Sequence, residues 1–123
     1  MEATLELKAL PFETGLSVTL KGDLDQRAEQ AIKQEVDWEN GLGGGRRYLI
    51  LNMHELNYIN SAGMALLIRI ARAGRKNGYH TFVCGVSTHY QKLFRMVGLT
   101  EYVMLYPDEY AVFQRIEALE GHV

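Results

Sequence analysis

Tyr48-Leu49-Ile50-Leu51 contains no charged residue, and it is followed by a helical pattern from Ala62 to Ala73 and then by a second apolar run, Tyr79 to Val83. A continuous apolar run belongs in a strand covered on both faces. Two such strands joined through a helix form a crossover unit and lie parallel in one sheet. This unit fixes an α/β architecture with the first run near the centre of the sheet.

The flanking segments extend that sheet. Thr4 to Leu10 alternates polar and apolar residues, Glu13-Thr14-Gly15 supplies a turn with Gly15 free to take positive φ, and Leu16 to Leu20 follows, which reads as an antiparallel hairpin. Asp25 is placed to cap a helix over Gln26–Val36, where Ala28, Ala31, Ile32 and Val36 keep helical spacing. Gly41, Gly43, Gly44 and Gly45 then form a linker, without the Lys-Ser/Thr of a phosphate-binding loop. In the crossover helix Met64, Leu67, Ile68 and Ala71 make one stripe that Leu66 and Ile70 widen. Arg69, Arg72, Arg75 and Lys76 complement the negative end of its dipole, and Gly74 or Gly78 ends it. Thr88 begins a third helix that Gly98 closes, after Leu93, Phe94, Met96 and Val97. Val103–Tyr106 is a last strand, and Asp108 opens a terminal helix containing Val112, Phe113, Ile116 and Leu119. The expected fold is a mixed, mostly parallel β-sheet flanked by α-helices on one or both sides.

At 123 residues with 47% hydrophobic content, the chain supports one core, and residues 1–123 are expected to form one domain. A net charge of -2 gives no basis for electrostatic capture of nucleic acid. Cys84 is the only cysteine, so no intrachain disulfide forms, and its apolar neighbours Phe82 and Val83 mark a core residue. The amino terminus reads as a strand and lacks the order of a signal peptide, and no apolar run approaches the ~20 residues of a membrane span. A cytoplasmic protein without membrane or nucleic-acid binding is expected.

Chemistry concentrates at Tyr58-Ile59-Asn60-Ser61-Ala62-Gly63, where strand meets helix. Ser61 suits an N-cap, and it is also an addressable hydroxyl. Together with Gly22-Asp23-Leu24-Asp25 and Leu93-Phe94-Arg95-Met96-Val97-Gly98-Leu99, this segment resembles the STAS domain of bacterial anti-anti-sigma factors (anti-sigma factor antagonists), over nearly the whole chain. The resemblance implies a sheet with helices on one face, and it makes Ser61 the phosphorylation site. It further implies that the unphosphorylated domain binds an anti-sigma factor Ser/Thr kinase to release sigma factor, and that a metal-dependent Ser/Thr phosphatase reverses the modification. Asp23, Asp25, Asn60, Ala62, Gly63 and Met64 would lie near the docking surface. The chain departs from the family pattern at Asn60, where an aspartate usually precedes the serine, and at Asn52, another usually acidic position.

Taken alone, these residues have plainer roles: Ser61 a cap, Met64 core, Asp23 and Asp25 turn and cap residues. A kinase-independent scaffold is the corresponding alternative, and a weak homodimer through an exposed Met64, Leu67 or Met96 surface would be its sign. An enzyme is not expected. His54-Glu55, His80, His89 and His122 lack metal-ligand spacing, Gly-x-Ser-x-Gly is absent around Ser61, and no cofactor cradle is present.

Overall fold

The computed structural model describes residues 5–121, so Thr4 and His122 lie outside the described residues. In chain order the elements are β1 (Leu5–Phe12), β2 (Gly15–Leu24), α1 (Ala28–Glu35), β3 (Tyr48–Ile59), α2 (Ser61–Asn77), β4 (His80–Cys84), α3 (Thr88–Met96), a 3-10 turn (Leu99–Glu101), β5 (Val103–Tyr106) and α4 (Glu109–Leu119). The strands form one sheet ordered β1-β2-β3-β4-β5, with β1 antiparallel to β2 and every other pair parallel. β3 is central, as its apolar composition requires.

Phe12 pairs with Gly15, which leaves Glu13-Thr14 as a two-residue turn. Gly15 does not use a positive φ. Its glycine serves close approach instead: a Cβ there would strike the Tyr48 carbonyl oxygen and come within 2.9 Å of the Tyr48 Cβ. The hairpin is thereby pressed against the start of β3.

The two faces of the sheet bury different clusters. Leu16, Val18 and Leu20 of β2, Leu49, Leu51 and Met53 of β3, and Val83 of β4 pack with Ile32, Leu67, Ile70 and Phe94 from α1, α2 and α3. Tyr48, Ile50, Phe82 and Cys84 point the other way, where Val112 and Ile116 of α4 cover them. Helices therefore flank both faces, in contrast to the one-sided arrangement implied by the resemblance. The cause is the composition of β3, which is apolar at consecutive positions and needs cover on each side.

α2 continues past Ala73 and ends at Gly78, whose φ of 85° places it in the left-handed region, with its N–H bonded to the Gly74 carbonyl at 2.8 Å. Gly74 lies inside the helix, where a Cβ would fall 2.6 Å from the Tyr79 carbonyl oxygen and 2.7 Å from its ring. Tyr79 precedes β4 rather than belonging to it. Its buried hydroxyl lies 2.9 Å from the Trp38 carbonyl and 2.8 Å from the Ile70 carbonyl, tying the connection before β3 to α2. Burial pushes the Tyr79 phenol above its ordinary pKa. On the outer surface Arg69 of α2 grips Glu29 of α1 through two hydrogen bonds of 2.8 and 2.9 Å, and Lys33 adds a contact at 3.0 Å. Hydrogen bonds from Arg69 and then Lys33 hold the Glu29 carboxyl at about 2.

Tyr79→Phe removes the hydroxyl shared by those two carbonyls and is expected to lower unfolding stability by about 1 kcal/mol, read from urea denaturation. Glu29 titrates lower in the folded chain than its ordinary 4.5. The stabilisation it supplies is therefore complete above about pH 4.5 and lost as pH falls toward 2. Glu29→Gln should accordingly flatten the dependence of urea midpoint on pH across that window while leaving its shape near neutral pH unchanged.

Candidate functional site

β2 and β3 run in parallel and finish side by side, Asp23 pairing with Tyr58 and Leu24 with Ile59. At this edge the chain leaves β3 and enters α2. Asn60 remains extended, at φ -96° and ψ -177°, because its N–H is bonded to the Leu24 carbonyl at 3.2 Å. It is consequently the last non-helical residue, and its Oδ1 accepts the Gly63 N–H at 2.9 Å. Asn60, not Ser61, is the N-cap.

That correction changes the state of the serine. Ser61 is the first residue of the helix and is exposed, and among the described residues its hydroxyl makes no hydrogen bond. The first-turn N–H groups of a 17-residue helix give this end partial positive charge. An accessible alcohol thus sits where an anion is favoured.

Gly63 explains the tight fit of the neighbouring loop. A Cβ on it would land on the Leu24 carbonyl group, with the carbonyl carbon at 2.9 Å, so glycine admits this chain's own backbone. Ala62 is half-buried beside it. Met64 is 7% exposed and packs in the main core, so it holds the helix rather than offering an adaptable surface contact. Leu67 is buried as well, and of the self-association surface expected from Met64, Leu67 and Met96 only Met96 is exposed.

Asp25 is 7% exposed and does not occupy the N-cap position of α1, which falls on Arg27. Its carboxylate accepts the Arg27 backbone N–H at 2.9 Å and the guanidinium at 2.8 Å, while its carbonyl accepts the Ala28 N–H at 3.0 Å. Those Arg27 bonds hold the Asp25 carboxyl below its usual range, and Asp25 and, more weakly, Asp23 raise Arg27. Asp23 is half-buried at the end of β2. Gln26 accepts from the Asn60 side-chain amide at 3.2 Å, linking the loop to the cap. Tyr58, which opens the strand-to-helix segment, is exposed; Gln26 and Arg27 were not among the site residues expected from sequence, although Asp25-Gln26-Arg27 shows the acid and base two positions apart.

The second unusual asparagine lies elsewhere. Asn52 is buried on the α4 face, where its amide donates to Glu109 at 3.1 Å and its Oδ1 receives the His54 N–H at 3.2 Å. The Ser17 hydroxyl donates to the same Glu109 carboxylate. His54 also faces Glu55, and His89 meets the edge of Tyr90, so the structure gives these histidines local partners. No helix among the described residues is long and apolar enough to cross a membrane.

The STAS domain family model matches residues 9–112. Among solved structures, the anti-sigma factor antagonist SpoIIAA in its unphosphorylated form is 18% identical with a TM-score of 0.70, covering 92% of this chain and 97% of that one. The phosphorylated form of SpoIIAA from Bacillus has a TM-score of 0.66 at 22% identity, covering 89% and 97% of the two chains. Moorella thermoacetica RsbS reaches a TM-score of 0.78 at 16% identity, with 93% and 97% covered. At these identities the likeness establishes a shared fold.

Since the cap bond belongs to Asn60, Asn60→Ala should lower stability by about 1 kcal/mol, whereas Ser61→Ala should stay within about 0.5 kcal/mol of the parent. Parallel urea titrations of the two variants measure this. Equal losses would return the cap to Ser61.

Proposed function

Because this chain belongs to the STAS domain family, we propose that it is an anti-sigma factor antagonist whose docking surface is switched by phosphorylation of Ser61. The observation that carries this reading is the division of labour at the start of α2: Asn60 satisfies the helix, and the Ser61 hydroxyl is exposed and unengaged among the described residues. Modification then costs the fold no hydrogen bond.

In the unphosphorylated form the edge made by Asp23, the Asp25–Arg27 loop, Asn60, Ser61 and Ala62 docks on an anti-sigma factor kinase, which releases its sigma factor. Within that complex the Ser61 Oγ attacks the γ-phosphorus of ATP held by the kinase. The new Oγ–P bond forms, the bond to the β-phosphate oxygen breaks, ADP leaves, and the hydroxyl proton passes to a base of the kinase. The product carries about -1.5 to -2 charges and three acceptor oxygens. On this chain the anion meets the helix dipole and free N–H groups, so the domain keeps its shape. On the partner's side the same charge must be desolvated or matched, and the complex weakens. The likeness of the fold to both the unphosphorylated and the phosphorylated SpoIIAA supports a scaffold that tolerates such a change. A phosphatase of the metal-dependent Ser/Thr class resets the switch by hydrolysis.

The neutral Asn60 fits this reading. It keeps the cap while placing no negative charge beside the incoming phosphoryl group.

Incubation with the cognate anti-sigma factor kinase and ATP should add one phosphoryl group to the parent chain and none to Ser61→Ala, as read by intact mass. Ser61→Asp should bind the kinase at least ~tenfold more weakly than the parent, with Ser61→Ala close to the parent. A complex that persists unchanged with no adduct would favour a phosphorylation-independent scaffold.

A further inference from the structure

We propose that β1 is a self-complementary edge through which two copies of this chain pair antiparallel about Leu7, joining their sheets into one. The strand stands at the border of the sheet, with β2 as its neighbour on one side. A two-residue turn is closed by a hydrogen-bonded pair, here Phe12 with Gly15. Alternation from that pair puts Leu10, Lys8 and Glu6 in bonded positions toward β2, and it directs the main-chain groups of Leu5, Leu7 and Ala9 outward. Pro11 falls on an outward position as well, where its missing N–H leaves no gap in the hairpin.

Outward groups of one copy must meet outward groups of the other, so odd-numbered residues pair with odd-numbered ones, and the two-fold axis passes either through one of them or through the even-numbered residue between two of them. A centre at Glu6 or Lys8 sets that charge directly against the same charge of the other copy, which is destabilising. A centre at Ala9 sets Leu7 against Pro11, which cannot donate. A centre at Leu7 avoids this and pairs Leu5 with Ala9, Leu7 with Leu7, and Ala9 with Leu5, for about six main-chain hydrogen bonds.

Both faces then match. On the face shared with α1, Leu5, Leu7 and Ala9 belong to or pack against the main core, and the pairing sets them against each other across the axis. On the opposite face Glu6 and Lys8 are exposed, and the same register places Glu6 of each copy beside Lys8 of the other. These are the closely spaced, non-hydrogen-bonded positions, where side chains across strands interact most directly. Leu10, 56% exposed, lies on this face and sits diagonal to Glu6 of the other copy, within reach of its aliphatic stem. A charged edge usually discourages pairing. Here the order of charges, acid then base about an apolar centre, favours one partner, which is a second copy in one register.

The test is sedimentation equilibrium of the parent chain over a concentration series. Its average mass should rise from 14.0 kDa toward twice that value. Glu6→Lys sets two lysine pairs across the axis and should weaken association at least ~tenfold. The double exchange Glu6→Lys with Lys8→Glu restores opposite charges and should bring association back within about threefold of the parent. Far-ultraviolet circular dichroism confirms that each variant is folded. A parent chain that stays at 14.0 kDa, a single variant that associates as well as the parent, or a double variant that fails to recover would each overturn the proposal.

Discussion

The main-chain carbonyl of Leu24 governs the arrangement of the α2 end of the molecule. It accepts the Asn60 N–H at 3.2 Å, and it occupies the space that a side chain on Gly63 would fill. The first contact keeps Asn60 extended, and the second brings the β2–α1 loop against the opening turn of α2. From these two constraints follow the Asn60 cap, the outward position of Ser61, and the placement of Asp25 and Arg27 beside the helix start. A backbone carbonyl buried at a junction must be satisfied, so the sequence around it is restricted on three segments at once.

A second polar arrangement orders the opposite side. Glu109 stands at the first turn of α4 and receives hydrogen bonds from Ser17 of β2 and Asn52 of β3, both 7% exposed. A carboxylate there accepts only, so its neighbours must donate. This accounts for the neutral residue at position 52, since an aspartate would set two carboxylates against each other where Asn52 now offers an amide. The departure from the family pattern at this position is thus a matter of α4 docking, whereas that at Asn60 concerns the cap of α2.

Much of the architecture was legible because its signals are local. β5 and the α4 start at Asp108 follow from a short apolar run and a capping side chain, and Asp108 does accept the Ala111 N–H at 2.9 Å. The crossover from β3 through α2 to β4 was equally plain in its periodicity. What escaped depends on contacts between segments distant in sequence. Asn60 and Ser61 are both good caps by residue type, and only the bond to Leu24 decides between them. Gly15 and Gly63 looked like flexible or partner-facing glycines, yet each makes room for backbone brought in from another element. Met64 fitted both surface and core until the packing of α2 placed it inside. The side of the sheet taken by α4 is likewise set by the apolar row of Tyr48, Ile50, Phe82 and Cys84 that needs cover on that face, which no helix pattern encodes alone.

The covering of that row has a practical consequence for Cys84. Desolvation, reinforced by the nearby Glu109 and Asp108 carboxylates, pushes its thiol up to about 12, and the side chain is fully enclosed between β4 and α4. At neutral pH almost none of it is thiolate, so alkylating reagents reach it only when α4 lifts or the sheet opens. The single sulfhydryl is therefore an intrinsic clock for transient opening of the central strands, silent in the closed molecule and requiring no introduced probe.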